Sequence, residues 1–337
     1  MTTALERTIH TQAEAIEHMA RTDLAEPAQR LRDARRVLLI GTGTSRHAAD
    51  LGALLLRDAG VEAYSFAAEQ FVTGGPTLFP DDAAVVISHT GRTAYSRRAR
   101  ETARRAGCRL VTITGEGAGW PEAIVTVPPE ESETYTASYT ACLAVLASLA
   151  HHLGCPDVSP ADLARAARHV RAVCATYDPG AMRPPERALG LVGAGPYAVT
   201  AAEGALKLRE AAGVLAEGFD AERLLHGAAV PYGRRDRLLL VAPEADADGL
   251  VPAIGAAAAA EGVPVSTVPG VTGLHPMLAQ LPVTVALQLL AAELAQLNRR
   301  DPDRVIVGAW AEESLWERGS EPGAAATPSE GSGAGAR

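Results

Sequence analysis

An internal repeat constrains the fold of this chain more than any other feature. Short apolar runs bounded by glycine occur in two series, in the same order and at nearly one spacing. Val37-Leu38-Leu39-Ile40 leads into GTGTS, and Leu189-Gly190-Leu191-Val192 leads into GAGPY about 152 residues later. Val85-Val86-Ile87 precedes SHTG as Leu238-Leu239-Leu240-Val241 precedes APEAD. Leu110-Val111-Thr112-Ile113-Thr114 matches Val263-Pro264-Val265-Ser266-Thr267, each behind an alanine-rich stretch closed by Ala-Gly or Glu-Gly. Ile124-Val125-Thr126-Val127 and Leu281-Pro282-Val283-Thr284-Val285 form a fourth strand-like pair, each followed by an apolar helical run. Four ordered matches at one shift indicate a duplicated unit.

Continuous apolar strands alternating with helical stretches imply parallel sheets covered on both faces. The expected architecture is therefore α/β, with two duplicated doubly wound, flavodoxin-like sheets whose ligands lie beyond the carboxyl ends of the strands. The first domain is expected at 1–170, with a leading helix over about Thr2–Ala20, and the second at 171–318. Residues 319–337 are rich in Gly, Ala, Ser and Pro without apolar periodicity, which predicts a disordered tail.

A mass of 35.0 kDa accommodates both units. The net charge of −9 and 4% aromatic content argue against a nucleic-acid partner, which would need basic patches and stacking platforms. Cys108, Cys142, Cys155 and Cys174 form no CxxC pair and read as reduced, mostly buried thiols. The adjacent His151 and His152 would point about 100° apart on a helix, so no metal site is expected. No secretory signal stands at the N-terminus, and the best membrane candidate, Ala137–Leu153, is short and carries polar residues. A cytoplasmic protein with no membrane partner is the expectation.

Two loops are suited to an oxyanion. Gly41-Thr42-Gly43-Thr44-Ser45 opens a helix over about His47–Leu56, and Ser88-His89-Thr90-Gly91-Arg92-Thr93 opens another over Ala94–Arg105. Helix N-termini offer free N–H groups and partial positive charge, and hydroxyls add donors. Ser and Thr are also favoured helix caps, so one such loop decides little. Two at consecutive strand ends converge on one crevice and favour phosphate. Gly193-Ala194-Gly195-Pro196-Tyr197-Ala198 fits a dinucleotide pattern, which also needs a strand ending in an acidic residue about 20 residues on. The sequence there reads as one long helix through Glu210 towards about Glu217, so NAD is disfavoured. Neither loop has a Walker lysine, so ATP is disfavoured too. No cofactor is expected.

Lys207 is the only lysine, against 30 arginines. An ammonium is a compact charge whose pKa burial can tune, which arginine's is not. Glu203, Lys207 and Glu210 stand at i, i+4 and i+7 on one helical face. His226 follows in a Leu-Leu-His-Gly step that reads as a turn. A carboxylate, an amine and an imidazole are the parts needed to move protons on a carbonyl compound. The same residues would also suit a solvated ion-pair face with an incidental loop histidine.

These segments resemble the sugar isomerase (SIS) domain family in its tandem form, as in the isomerase half of glucosamine-6-phosphate synthase and shorter deaminase-like relatives. GTGTSRHA and SHTGRT are similar to the family's phosphosugar loops, and TYTASYTACL to the segment that closes over the sugar. EGALKLREAAGVLAEGFDAERLLHG resembles its most specific segment, and the likeness covers about residues 30–310. The resemblance implies that Ser45, Ser88, Thr90 and Thr93 hold a substrate phosphate, with Gly43, Thr44, His89, Thr136 and Glu203 around the sugar phosphate. It also implies that Glu210 is the base at C1/C2, Lys207 its electrostatic partner and His226 a ring-opening acid/base. In the family that histidine reaches the neighbouring subunit's site, which implies a homodimer sharing His226. Some positions depart from the family. His89 and Arg92 replace Gln and Glu, Ala137 stands where relatives commonly carry Lys or Arg, and Ala228 replaces a Pro. A C-terminal catalytic lysine and the Cys of a glutaminase domain are missing, so glutamine dependence is not expected. The implied activity is metal-independent isomerisation of a hexose or hexosamine 6-phosphate, with ammonia release from a 2-amino sugar. The alternative is a sugar-phosphate-binding regulator.

Overall fold

The computed structural model describes residues 2–176, 178 and 182–319. The predicted tail therefore lies outside the described residues, apart from Gly319. In chain order the elements are α1 (Ala4–Ala20), α2 (Ala25–Arg32), β1 (Val37–Gly41), α3 (Thr44–Asp58), β2 (Ala63–Ala67), α4 (Ala68–Gly74), β3 (Ala83–Ile87), α5 (Ala94–Arg105), β4 (Arg109–Thr114), β5 (Ala123–Val125), α6 (Ala137–Leu153) and α7 (Pro160–Thr176). There follow β6 (Leu189–Gly193), α8 (Pro196–Ala212), β7 (Ala216–Asp220), α9 (Ala221–Arg223), β8 (Arg237–Val241), α10 (Leu250–Ala260), β9 (Val265–Val268) and α11 (Pro276–Leu297).

All strands pair in parallel, in sheets ordered β2-β1-β3-β4-β5 and β7-β6-β8-β9. Alternate residues of each central strand enter different cores, as a sheet covered on both faces requires. Val37, Leu39, Val85, Leu189, Leu191 and Leu239 join one large core shared with α1, α3, α6, α7, α8 and α11. Leu38, Ile40 and Val86 pack beneath α4 and α5, and Val192, Leu238 and Leu240 against α10.

The predicted fourth strand of the second half does not form. Leu281–Val285 lies inside α11, Pro282 included. Periodicity cannot separate a short strand from a helix that is buried on nearly every side. α11 also supersedes Ala137–Leu153 as the membrane candidate, being the longer of the two apolar helices. It is long and apolar enough to span a membrane, yet 89% of its apolar window is buried inside the fold. The leading helix, α1, packs across the molecule against α7, α6 and α11. Buried Gln12 links it to both other layers, donating to Gln288 Oε1 (2.7 Å) and accepting from Thr140 (2.9 Å). All four cysteines are free, and Cys108, Cys142 and Cys155 are buried.

Candidate active site

One helix from each half supplies the site. α3 follows β1 and α8 follows β6, and each starts at a glycine in the same positive-φ conformation (Gly43, φ 56° and ψ −128°; Gly195, φ 54° and ψ −129°). Glycine adopts this geometry without the penalty a side chain would bring. Upstream, Gly41 lets the chain fold back on itself, since a Cβ there would stand 2.2 Å from the Ser45 carbonyl oxygen. α3 begins at Thr44, three residues before the sequence-based start.

The hydroxyl residues of the two loops are not consumed as caps. α3 is capped by Gly43, and Thr93, at the cap of α5, makes no side-chain capping bond. Ser88 is buried, and Thr90 Oγ1 accepts from the Arg92 N–H at 3.2 Å. His89 turns inward over Gly115, where a Cβ would lie 2.3 Å from the imidazole ring. It packs edge-on against Tyr135, with centroids 5.2 Å apart. Burial pulls the His89 pKa down against the opposing pull of Glu130, which favours the neutral ring.

On α8, Lys207 Nζ lies 2.5 Å from Glu210 Oε2 and 3.6 Å from Glu203 Oε1. The Lys207 and Glu203 side chains are 1% and 0% exposed, whereas Glu210 is 21% exposed. Glu203 crosses between the halves. Its Oε1 accepts from Thr44 Oγ1 at 3.2 Å, and its Oε2 stands 2.6 Å from His47 Nδ1. Burial opposes charge on all three groups. For Lys207, the Glu203 and Glu210 carboxylates overrule burial and raise the pKa. For Glu203, Lys207 and then His47 overrule burial and lower it. For Glu210, burial and the like charge of Glu203 prevail over Lys207 and raise it. The outermost carboxylate of the row is thus moved towards the range useful to a general base.

Sequence reasoning passed over two participants, His47 and Glu130. The Glu130 carboxylate sits on the N-terminus of α6, where Oε2 accepts from Thr136 N (2.9 Å), Thr136 Oγ1 (3.0 Å) and Ala137 N (3.2 Å). Its Oε1 accepts from Ser138 N at 2.9 Å. Thr136, expected at the sugar, is thus buried and bonded to Glu130.

The structure does not bring His226 to this group. α8 ends at Ala212 rather than near Glu217, because Gly213 adopts a left-handed conformation (φ 63°) and turns the chain into β7. Gly218 then packs on α8, where a Cβ would stand 2.4 Å from Ala202. Beyond β7 a π-type turn, Leu224–Ala228, carries His226 with its side chain 76% exposed, 3.7 Å from Glu222. Among the described residues His226 shares no hydrogen bond or ion pair with Glu210 or Lys207. β7 also corrects the ground on which a dinucleotide was disfavoured, since a strand ending in Asp220 does follow the glycine turn. Asp220 caps α9, accepting from the Arg223 N–H at 2.8 Å. At the mouth of α8, Pro196 has no N–H to offer a phosphate. The described residues hold no cluster of three His, Cys, Asp or Glu placed for a metal.

Residues 30–152 match the model of the SIS domain. A glutamine–fructose-6-phosphate aminotransferase (isomerizing) from Shouchella clausii is 32% identical over 220 residues, covering 58% of this chain and 36% of that protein. The chain thus spans little more than a third of that relative's length. In fold, the tagatose-6-phosphate ketose/aldose isomerase of Escherichia coli superposes with a TM-score of 0.77 at 17% identity, covering 90% of this chain and 96% of that one. Glucosamine-6-phosphate deaminase of Thermotoga maritima gives 0.73 at 17% identity, covering 90% and 97%. Residues 30–152 thus form a SIS domain, and the chain as a whole shares the fold of those two solved structures.

Proposed function

We propose that this chain isomerises a hexose or hexosamine 6-phosphate between aldose and ketose, and that the residues after 170 form a second SIS unit facing the first. One observation carries the reading: the Lys207–Glu210 pair, 2.5 Å apart, lies on the helix whose Glu203 touches the α3 loop. The phosphate binds the N-terminal donors of α3 with Ser45, Ser88, Thr90 and Thr93. Glu210 moves the proton between C1 and C2 of the open-chain sugar, and Lys207 steadies the charge of the enediol. With a 2-amino sugar the same proton transfer yields a C2 imine, and water then releases ammonia. Incubating the protein with a panel of hexose and hexosamine 6-phosphates, with and without glutamine, tests this by ketose and ammonia production. A panel with no turnover would leave binding alone and favour a regulator.

His226 is the acid/base that opens the ring, supplied by a second copy of the chain. Its exposure supports this, as does the company of Leu225 and Val230, which are 53% and 85% exposed. An isologous two-fold contact would complete two sites at once. Mixing inactive Glu210→Gln and His226→Ala chains under subunit exchange should restore up to about a quarter of the activity, since half the dimers are mixed and each has one intact site. No recovery despite proven exchange would remove His226 from the shared site.

A further inference from the structure

Residues 305–319 are held at both ends and uncovered between them. Val305 and Ile306 donate their N–H groups to Glu133 Oε2 (2.6 and 3.1 Å), and the Gly319 carbonyl accepts from Arg98 at 3.0 Å. Glu133 is in the same loop as Tyr135, which packs on His89, and Arg98 lies on α5. The segment therefore runs between the two elements that flank the second hydroxyl loop. Residues 306–318 are all exposed, among them two of the chain's three tryptophans. Trp310 is 78% and Trp316 54% exposed, and the Trp316 indole donates to the Trp310 carbonyl at 2.7 Å, which ties both into one turn. Tryptophan is highly buried on average, and with arginine it dominates the centres of interfaces. Three carboxylates, Glu312, Glu313 and Glu317, stand among these rings, and none has an ion pair among the described residues.

A groove of opposite character lies beside His226. It holds about 420 Å3 and is walled by Arg187, Arg209, Arg223, Leu215, Phe219 and Tyr232. Glu217, the one carboxylate lining it among the described residues, is met by Arg223 at 3.4 Å. Arg187 is paired with Asp236, whereas Arg209 has no ion pair among the described residues. The groove shares its turn with His226, since Arg223 before that histidine and Ala228 after it both line the wall. We propose that residues 310–316 of each chain dock in this groove of a second copy, tryptophans against its apolar wall and carboxylates against its arginines. The inference rests on the proposed function, because a partner that brings His226 to the site brings the groove to the segment beside that site. In an isologous dimer the contact is made twice, each chain giving one segment and one groove. Charge selects the occupant. An anionic lipid surface would repel the three carboxylates, whereas an arginine-lined groove attracts them.

The test uses two charge-reversed chains, one with Glu312→Arg and Glu313→Arg, the other with Arg209→Glu and Arg223→Glu. All four positions are exposed. Sedimentation velocity gives the dimer Kd. Each variant alone sets like charges against each other in both contacts, so its dimer should weaken about 100-fold. In an equimolar mixture the mixed dimer has opposite charges in both contacts, and its Kd should return to within about 10-fold of wild type. A misfolded variant could not be rescued in this way. A second measurement uses Trp120→Phe, whose fluorescence reports Trp310 and Trp316 alone. Its emission should shift to the blue as dilute monomer is concentrated to dimer. Variants that dimerise like wild type, a mixture no better than its parts, or emission unchanged on dimerisation would overturn the docking while leaving a shared His226 standing. A wild-type chain that stays monomeric would overturn both.

Discussion

The turn after β1 and the turn after β6 share one backbone and carry different chemistry. Gly43 and Gly195 agree within about two degrees in φ and ψ, and each opens a long helix from the end of a sheet's second strand. After Gly43 come Thr44, whose hydroxyl donates to Glu203, and Ser45, whose hydroxyl makes no capping bond to α3. After Gly195 come Pro196, which has no N–H, and Tyr197, which is buried. The first turn is thus equipped for an anion and the second is closed to one. The second helix makes its contribution further along, at Glu203, Lys207 and Glu210. The proposed function divides these two similar units between holding a phosphate and moving a proton, and Glu203 joins them by touching Thr44 and His47.

The sharpest test of that division is Glu210→Gln. The amide preserves shape and removes the base, so kcat should fall by about 10²–10⁴-fold while sugar-phosphate affinity, measured by calorimetry, stays near wild type. Near-normal turnover would break the assignment of proton transfer to α8. Next comes Lys207→Met, which fills the same space without charge. It leaves buried Glu203 without its ammonium partner, with only the His47 imidazole against it, and removal of one partner from a buried pair costs about 3–5 kcal/mol. Chemical denaturation should show that loss at neutral pH. Lowering the pH should narrow it, because protonation of Glu203 relieves the unpaired charge. A loss below about 1 kcal/mol would mean that the ion row is not a structural link between the halves.

The sequence exposed β1, β3, β4, β5, β6, β8 and β9, since buried parallel strands read as unbroken apolar runs, but not the edge strands β2 and β7; it also exposed the face of α8, since i, i+4, i+7 spacing is a local rule. It failed where burial erases periodicity, at Leu281–Val285 of α11. It also failed where a glycine is asked to end a helix, because Gly213 looked no different from other glycines near helical stretches. Glu130 stayed hidden for a third reason. It caps α6 from six residues ahead of Thr136. A capping box spans three residues, so no local pattern marks it. His47 stood in a motif that was noticed, but its partner Glu203 lies 156 residues away. Such contacts exist only once the halves are assembled.

A smaller effect should separate the two turns directly. Ser45→Ala removes one hydroxyl from the first turn and should weaken phosphate-bearing ligands by about 10-fold, with kcat little changed. The matching change in the second turn, Tyr197→Phe, should leave ligand affinity within about 2-fold. Equal effects from the two variants would mean that both turns contact the ligand, and the division of labour would fail.

The subtlest expectation concerns the coupling through Glu203. Glu210 must be deprotonated to act as a base, so kcat should fall as pH drops through its pKa, which burial and the Glu203 charge hold above the ordinary carboxylate value. In Glu203→Gln the like charge is gone and Lys207 has only Glu210 to neutralise. Both changes favour the ionised form of Glu210, so its pKa falls and the acid limb of kcat moves to lower pH. The substrate phosphate also titrates near pH 6. That titration is common to both enzymes, so the difference between their profiles isolates the protein group. The glutamine can still accept from Thr44 through its carbonyl oxygen, which keeps the two halves in register. Thermal melts should confirm that both proteins stay folded across the range. An acid limb that stays put in Glu203→Gln, or moves to higher pH, would show that Glu203 does not tune Glu210 and that the two turns work without electrostatic contact.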